Sequence, residues 1–400
     1  RLVSDYISVY QELLNQPKNM RPIKYIGFFD FQDSKVSRNY FLACTNKMES
    51  IAEALNDAGY PVEIVSTAVG VNDRFFFAKG EVIWKSDLLK ARFFPTFGGP
   101  NVVIRGVRRW LTSICFLKYL LLNTKKDEPI IVYHSTGFRN LLLLAKKVKK
   151  FKLILELEEV YQDVVDMTEA ERKTELETFA QADGYIFPTK LLNDKINSGK
   201  KPYTIILGTY HVEQEITDKF NDGKTHVVYA GTFDPRKGGA AAAAAAAAFI
   251  PDNYVFHICG FGSPKEIADV KAAVDKVNKV TPGKAVYHGT LTGKTYISLI
   301  QSCHIGLSTQ NPNAQFNATS FPSKILSYMS NGLDVVTVDI PAVRNSAVGK
   351  YLYYYQHQTP EEIAKAITQV KNNGHNNKDI IFTLHQNFVN DIDSLMKRFL

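Results

Sequence analysis

The stretch Thr225-His-Val-Val-Tyr-Ala-Gly-Thr-Phe-Asp-Pro-Arg-Lys-Gly-Gly239 constrains the fold more than any other part of this chain. A run of β-branched and aromatic residues ends in Gly231, and a short loop then carries Arg236 and Lys237 into a small-residue segment that favours helix. Such a strand–loop–helix joint aims a helix N-terminus and two cations at one place, which suits a phosphate. The pattern returns at Tyr254-Val-Phe-His-Ile-Cys-Gly-Phe-Gly-Ser263 as strand, glycine turn and helix. One joint is weak evidence. Two in tandem point to a nucleotide-linked substrate held at the edge of a parallel sheet.

The rest of the chain keeps the same rhythm. In the first half, strands are predicted at Met20–Asp30, Pro61–Ser66, Pro129–Ser135, Phe151–Glu158, Ala182–Pro188 and Tyr203–Gly208. A helix is predicted from Asn39 to Gly59, and an irregular aromatic stretch precedes Pro129. The second half repeats the scheme, with strands expected at 225–231, 254–260, 285–289, 304–309 and 334–340. Ser263-Pro-Lys-Glu266 and Thr359-Pro-Glu-Glu362 spell capping boxes with proline at the first helical position. Strands separated by helices predict an α/β protein with mostly parallel sheets covered on both faces. Nine consecutive alanines, Ala240–Ala248, allow a helix but bury little side chain against a sheet.

Four hundred residues exceed what one core usually supports, so two domains are expected. The reading divides the chain into a leader or added segment at 1–19, an N-terminal domain at 20–205, a C-terminal domain at 206–378 and a last amphipathic helix at 379–400. That helix would pack back on the N-terminal domain. No uncharged apolar run reaches the length of a membrane span, and Arg1-Leu-Val-Ser-Asp5 lacks the features of a signal peptide. Cys44, Cys115, Cys259 and Cys303 are scattered without zinc spacing and read as reduced core thiols. A cytoplasmic protein is expected.

The net charge of +8 is unevenly placed. Residues 101–155 hold twelve Lys/Arg against Asp127 and Glu128, so this segment alone carries +10. Its first part, Val103 to Leu122, mixes cations with large apolar side chains at helical spacing. Such a helix either lies on an anionic membrane surface or packs inward with a solvated basic edge. No nucleic-acid-binding motif accompanies the charge, so nucleic acid is not an expected partner.

Tyr229-Ala-Gly-Thr-Phe-Asp-Pro-Arg-Lys-Gly238, Gly260-Phe-Gly262 and Ser320-Phe-Pro-Ser-Lys-Ile-Leu-Ser-Tyr-Met-Ser-Asn-Gly-Leu-Asp-Val-Val336 resemble the GT-B glycosyltransferases, in particular their retaining, metal-independent branch. The resemblance covers nearly all of the chain from Met20. It implies two Rossmann-like domains facing across a cleft, with the N-terminal domain taking the acceptor and the C-terminal domain the nucleotide-sugar donor. A departing nucleoside diphosphate requires cations near the leaving oxygens. Lys237, Arg236, Lys324 and the backbone amides near Gly238 and Ser323 match that task. Two departures stand out: Thr232 occupies the place of a common family arginine, and Thr319 and Ser327 occupy those of paired glutamates. Both leave the sugar and the donor geometry open.

The resemblance also implies that Gly260 and Gly262 let the chain turn beneath the donor, and that His288-Gly-Thr-Leu291 lies against the base. Leu291 would pack there, with Tyr296 from the next helix. Thr232, Thr319, Ser320 and Ser327 are candidates for donor sugar or nucleoside contacts. In the N-terminal domain His134 ends a strand, and Glu156, Glu158 and Glu159 cluster at the end of another. His134 is a candidate for a hydrogen bond to the donor sugar or a role near the acceptor. Glu158 is the first choice for a general base or acceptor-hydroxyl ligand. No metal and no further cofactor are expected. The expected activity is sugar transfer, from a UDP-sugar by default, to a lipid-linked saccharide in bacterial capsule or exopolysaccharide assembly, with peripheral contact at the inner face of the plasma membrane. The alternatives are a soluble transferase acting on a protein or small molecule, and a non-catalytic GT-B-like subunit.

Overall fold

The computed structural model describes residues 21–135, 137–163, 166–235, 239–371 and 376–400. The segment 1–19 and the loop residues Arg236, Lys237 and Gly238 lie outside the described residues. Two sheets organise the chain. The first holds β1 (Ile23–Gly27), β2 (Val62–Ser66), β3 (Glu81–Trp84), β4 (Leu89–Phe93), β5 (Pro129–Tyr133), β6 (Lys152–Glu156), β7 (Gly184–Phe187) and β8 (Tyr203–Ile205), in the order β8-β7-β6-β5-β1-β2-β4-β3. All neighbours are parallel except the antiparallel pair β3–β4. The central strands β1 and β2 are buried along their whole length, which is why they read as near-continuous apolar runs.

Strands β3 and β4 fall in the stretch that the sequence reading left irregular. In Leu89-Lys-Ala-Arg-Phe93 the residues alternate between buried and half-buried, the signature of a strand with one covered face. Arg92 reaches back to Glu63 at 2.7 Å and stacks over Tyr119, so its charge is compensated beside the sheet. Farther along, Phe76–Ala78 pairs antiparallel with Thr96–Gly98 to form a small outlying ribbon.

The second sheet is wholly parallel. It holds β9 (Thr225–Thr232), β10 (Tyr254–Phe261), β11 (Ala285–Gly289), β12 (Ile305–Ser308), β13 (Asp334–Val338) and β14 (Tyr353–Tyr355), in the order β11-β10-β9-β12-β13-β14. The helices that matter below are α1 (Leu42–Asp57), α2 (Val102–Asn123), α3 (Arg139–Lys149), α4 (Glu169–Ala180), α5 (Lys190–Ile196), α6 (Ala240–Ala246), α7 (Pro264–Val280), α8 (Gly293–Ser302), α9 (Lys324–Ser330), α10 (Pro360–Thr368) and α11 (Asn377–Met396). The expected box at Ser263/Glu266 caps α7 reciprocally. At α10, Thr359 accepts from the amide of Glu362, but the Glu362 carboxylate turns to the amides of Gln356 and His357. The alanine run forms α6, whose small side chains let Ala240, Ala243, Ala244 and Ala246 be buried.

The chain crosses between the sheets twice. Residues 206–224 lead from β8 to β9, and α11 returns. Asn377 at the start of α11 donates to Leu333 O at 2.8 Å beside the second sheet. Farther along, His385 lies 2.8 Å from Asp57 of α1, and Asp393 accepts from Tyr60 at 2.8 Å. Phe388 is buried edge-on to Tyr210 of the first crossing. Truncation of Phe388 to alanine should therefore remove a packed contact joining the two crossings and cost about 3–5 kcal/mol. Urea unfolding followed by fluorescence would measure this, and a loss below 1 kcal/mol, roughly the cost of a surface change, would contradict it.

Candidate functional site

Strands β9 and β10 end side by side, with Gly231 paired to Gly260. Both residues have positive φ, +142° and +153°, which favours glycine. A Cβ on Gly260 would lie 1.8 Å from Gly231 O, so the two backbones approach more closely than any side chain permits. At Gly262 a Cβ would meet Glu266 Oε2 at 2.8 Å and Phe233 Cβ at 2.9 Å, so a third glycine allows the turn into α7.

Lys324, the first residue of α9, reaches this turn. A Cβ on Gly231 would be 3.2 Å from its Nζ. The side chain is half-buried, but its ammonium end is sealed from solvent and has no hydrogen-bond partner among the described residues. The ring of Tyr229, centred 4.3 Å away, supplies only a cation–π contact. Burial lowers the Lys324 pKa to about 8, and Cys259 pulls it slightly back. A buried cation without a counter-ion among the described residues is the kind of group that a bound anion would neutralise.

Several of the other residues expected to contact the donor have partners of their own. Thr232 is half-buried; its carbonyl accepts from Tyr229 at 2.5 Å and its hydroxyl from the amide of Asp234 at 3.2 Å. Gly239, just past the undescribed loop residues Arg236, Lys237 and Gly238, donates to Thr309 at 2.9 Å. Ser323 is exposed immediately before α9, and the buried hydroxyl of Ser320 has no partner. Tyr296 of α8 is hydrogen-bonded to Ser327 of α9, and burial raises its pKa. Leu291 packs half-buried against the same core. The carbonyl of Thr319 accepts from Thr189 at 2.5 Å, so this position joins the two domains.

In the first domain the acidic cluster is more elaborate than the sequence suggested. Glu158 sits 3.1 Å from Lys47 Nζ, and that ammonium also donates to Ile206 O at 2.9 Å. Glu156 is fully buried, takes a hydrogen bond from Tyr25, and has one oxygen without a partner. Burial and the neighbouring Glu158 raise the Glu156 pKa, with Lys47 and Tyr25 pulling against them. Glu156 thus holds its proton more readily than a free carboxylate does. His134 is buried with Nε2 3.1 Å from Glu175 Oε1 and its ring stacked on Tyr161. Burial raises the Glu175 pKa, but hydrogen bonds from His134 and from the amides of Tyr161 and Gln162 bring it below the ordinary value. Burial lowers that of His134 despite Glu175. A neutral imidazole donating to a carboxylate leaves Nδ1 as a bare acceptor, and Nδ1 is indeed without a partner.

Lys47, Tyr25 and Glu175 were not singled out from the sequence. Glu175 lies on a largely exposed helix whose buried side includes Thr178 and Phe179, and its full burial reveals its part. The structure brings Gly231, Gly260 and Lys324 together, joins Tyr296 to Ser327, and places Glu158 and His134 in two separate polar clusters.

Solved structures share this architecture. An α,α-trehalose-phosphate synthase (UDP-forming) from Burkholderia xenovorans, in complex with glucose-6-phosphate, aligns with a TM-score of 0.64 at 10% identity, covering 95% of this chain and 99% of that one. A trehalose-6-phosphate structure from E. coli, bound with UDP-2-fluoro glucose, gives 0.60 at 11% identity over 94% and 96%. The lipopolysaccharide outer core galactosyltransferase WaaB, in its apo form, gives 0.58 at 13% over 95% and 100%. No curated protein sequence matches the chain. The fold is therefore GT-B, the class to which the paired sheets and the glycine turn belong. Residues 224–373 match the model of the glycosyl transferases group 1 family, which together with the shared fold supports a glycosyltransferase.

Gly260→Ala should lose ligand binding at the turn and part of its stability, because its Cβ would collide with Gly231 O. Calorimetry with nucleoside diphosphates alongside thermal unfolding tests this; unchanged behaviour in both would show that the two strand ends are not held so closely.

Proposed function

We propose that the protein transfers a sugar from a nucleotide-sugar, a UDP-sugar by preference, to a saccharide acceptor, with retention at the anomeric carbon and without a metal. The observation that carries this reading is the partnerless ammonium of Lys324 beside the Gly231–Gly260 turn. In the transfer the bond from the anomeric carbon to the β-phosphate oxygen breaks while one to the acceptor oxygen forms. Negative charge then grows on the leaving diphosphate, where Lys324, together with Arg236 and Lys237 of the adjoining loop, would stabilise it. The preference for UDP rests on the names of the trehalose-phosphate synthase and the ligand of the E. coli structure. In this reading the second domain holds the donor and the first holds the acceptor. The acceptor hydroxyl would give up its proton on the first-domain side, where Glu158 is paired with Lys47 and His134 offers an acceptor nitrogen without a partner among the described residues.

A lipid-linked acceptor is supported by the surface of α2. Its inward face carries Arg108, Thr112, Phe116, Tyr119 and Leu120. Its outward face exposes Val103 (70%) and Trp110 (65%), together with Val102, Val107 and Ile114, and the cations Arg109 and Lys118. Phe75 and Phe77 are likewise exposed, and Phe75 adjoins Ile104 across Gly99. The basic segment is less free than its composition implied: Arg108 is buried on the carbonyls of Val71 and Phe97 and on Asn72, and Lys146 pairs with Asp183. Apolar insertion at Trp110 and the valines, assisted by charge, describes the surface better than charge alone. Among the described residues no helix is long and apolar enough to cross a membrane. Sedimentation with phosphatidylglycerol vesicles should pull down the protein, with Trp110→Ala weakening capture more than raised salt does. Capture that salt abolishes and the alanine leaves intact would favour a purely basic contact.

The donor site is tested by calorimetry with UDP, GDP, ADP, CMP and dTDP on the wild type and on Lys324→Met. One nucleotide should bind the wild type and fail to bind the variant. The same substitution should raise stability by about 1–4 kcal/mol, because an unpaired buried charge is replaced by an apolar chain. The wild type should also gain stability as pH rises past about 8, where folded Lys324 releases a proton that the unfolded chain retains; the variant should lack this gain. A variant that binds as well as the wild type, or is less stable, would show that Lys324 serves the fold.

A further inference from the structure

A row of imidazoles crosses the second sheet and ends at His288. His226 at the start of β9, His257 in β10 and His288 in β11 step diagonally over three neighbouring strands. His226 Nδ1 lies 2.8 Å from His257 Nε2, and His257 Nδ1 lies 2.9 Å from His288 Nε2. At the other end His226 Nε2 is 3.0 Å from Asp222 Oδ1. Phe220 of the interdomain crossing stacks on His226 and His257, and the backbone N–H of His226 donates to His304 Nδ1 at 3.0 Å. His226 and His257 are buried and His288 is half-buried.

The chemistry of neutral imidazole gives this row a direction. Each ring has one donor and one acceptor nitrogen. The carboxylate of Asp222 only accepts, and hydrogen bonds from His226 and the Lys224 amide hold its pKa down. His226 must then carry its proton on Nε2, so its Nδ1 accepts from Nε2–H of His257. His257 Nδ1 accepts in turn from Nε2–H of His288. Burial lowers the pKa of both His257, to about 3, and His288, which keeps these two rings neutral. One carboxylate at the crossing thereby dictates the tautomer of a ring two strands away.

His288 is not an ordinary strand residue. Tyr287 pairs with Ile258 and Gly289 with Cys259, so His288 is the extra residue of a β-bulge on an edge strand. After it come Gly289, with φ of +69°, and Thr290, whose hydroxyl donates to Gly260 O at 3.0 Å. Gly260 is the partner of Gly231 at the turn that Lys324 reaches. The bulge thus connects the imidazole row to the turn beside Lys324.

We propose that Asp222, His226, His257 and His288 form a polarised row that positions the 288–291 loop for the nucleoside half of the donor, with His288 as the positioning residue. The proposal rests on the donor-site reading above. Its test compares His288→Ala and His288→Gln, whose amide can restore a donor to His257 Nδ1, with the wild type. UDP and inorganic pyrophosphate are titrated separately. The alanine variant should bind UDP about fivefold more weakly or worse, roughly the loss of one hydrogen bond. It should bind pyrophosphate as the wild type does, and the glutamine variant should recover UDP binding. Equal losses for both ligands, unchanged UDP binding in the alanine variant, or no recovery in the glutamine variant would overturn the positioning role. In parallel, ¹⁵N spectra of histidine-labelled protein should show Nε2–H tautomers at all three rings, and Asp222→Asn should mix the tautomer at His288. A different tautomer in the wild type would overturn the row itself, whether or not nucleotide binds. A wild type that binds neither UDP nor pyrophosphate but shows the expected tautomers would remove the donor reading, and the positioning role with it, while leaving the row in place.

Discussion

Two strand ends meet at Gly231 and Gly260 with no room for a side chain between them, and the ammonium of Lys324 lies at their edge without a hydrogen-bond partner among the described residues. Each part of this arrangement works against stability. Glycine gives up backbone entropy in a strand, and an unpaired buried cation loses its hydration. Among the described residues the loss at Lys324 is offset by the face of Tyr229 and weakly by Cys259. Such a site persists because the surrounding sheet is buried on both sides and sets the ends of β9 and β10 without help from the turn. Functional sites commonly sit where local preference is overruled in this way.

The two domains are tied by contacts of different kinds. The first crossing is pinned to the second sheet's helices through Gln301, which exchanges hydrogen bonds with Gln214 and Ile216, and through Phe220 on the imidazole row. The returning helix α11 is anchored at Asn377 on one side and at Asp57 and Tyr60 on the other. Near the sites, the direct link is lighter: Thr189 reaches the Thr319 carbonyl. Lys47 binds both Glu158 and the carbonyl of Ile206, where the chain leaves the first sheet. The acidic cluster and the exit to the second domain therefore share one ammonium, so a change in either is felt by the other.

How much of this could be read from the residues differs by element. The strand that ends in Gly231, the strand that ends in Gly260 and the cap of α7 were legible, because each follows from local rules of glycine, β-branching and side-chain capping. Strand β4 carried its alternation in plain view but lay among aromatics and charges that obscured it. Lys324 was named as a cation for phosphate, yet its lack of a partner was invisible until the turn and Tyr229 were placed around it. Glu158 was legible as a carboxylate at a strand end. The different surroundings of Glu158 and Glu156 were not, since these depend on Lys47 and Tyr25 arriving from distant segments. Arg108 counted as surface charge in the sequence and proved to be a buried clamp on two carbonyls.

Sequence by itself determined the alternation of strand and helix, the glycine turns at the ends of β9 and β10, and the concentration of cations beside them, because these depend on neighbours a few residues apart. Tertiary structure alone decided which charges lost their solvent, that burial drives the Glu156 pKa up, and that His226, His257 and His288 fall into one row. The reason is physical. Desolvation and hydrogen-bond direction are properties of an enclosed space, and here that space is formed by residues separated by 31 positions at each step of the row.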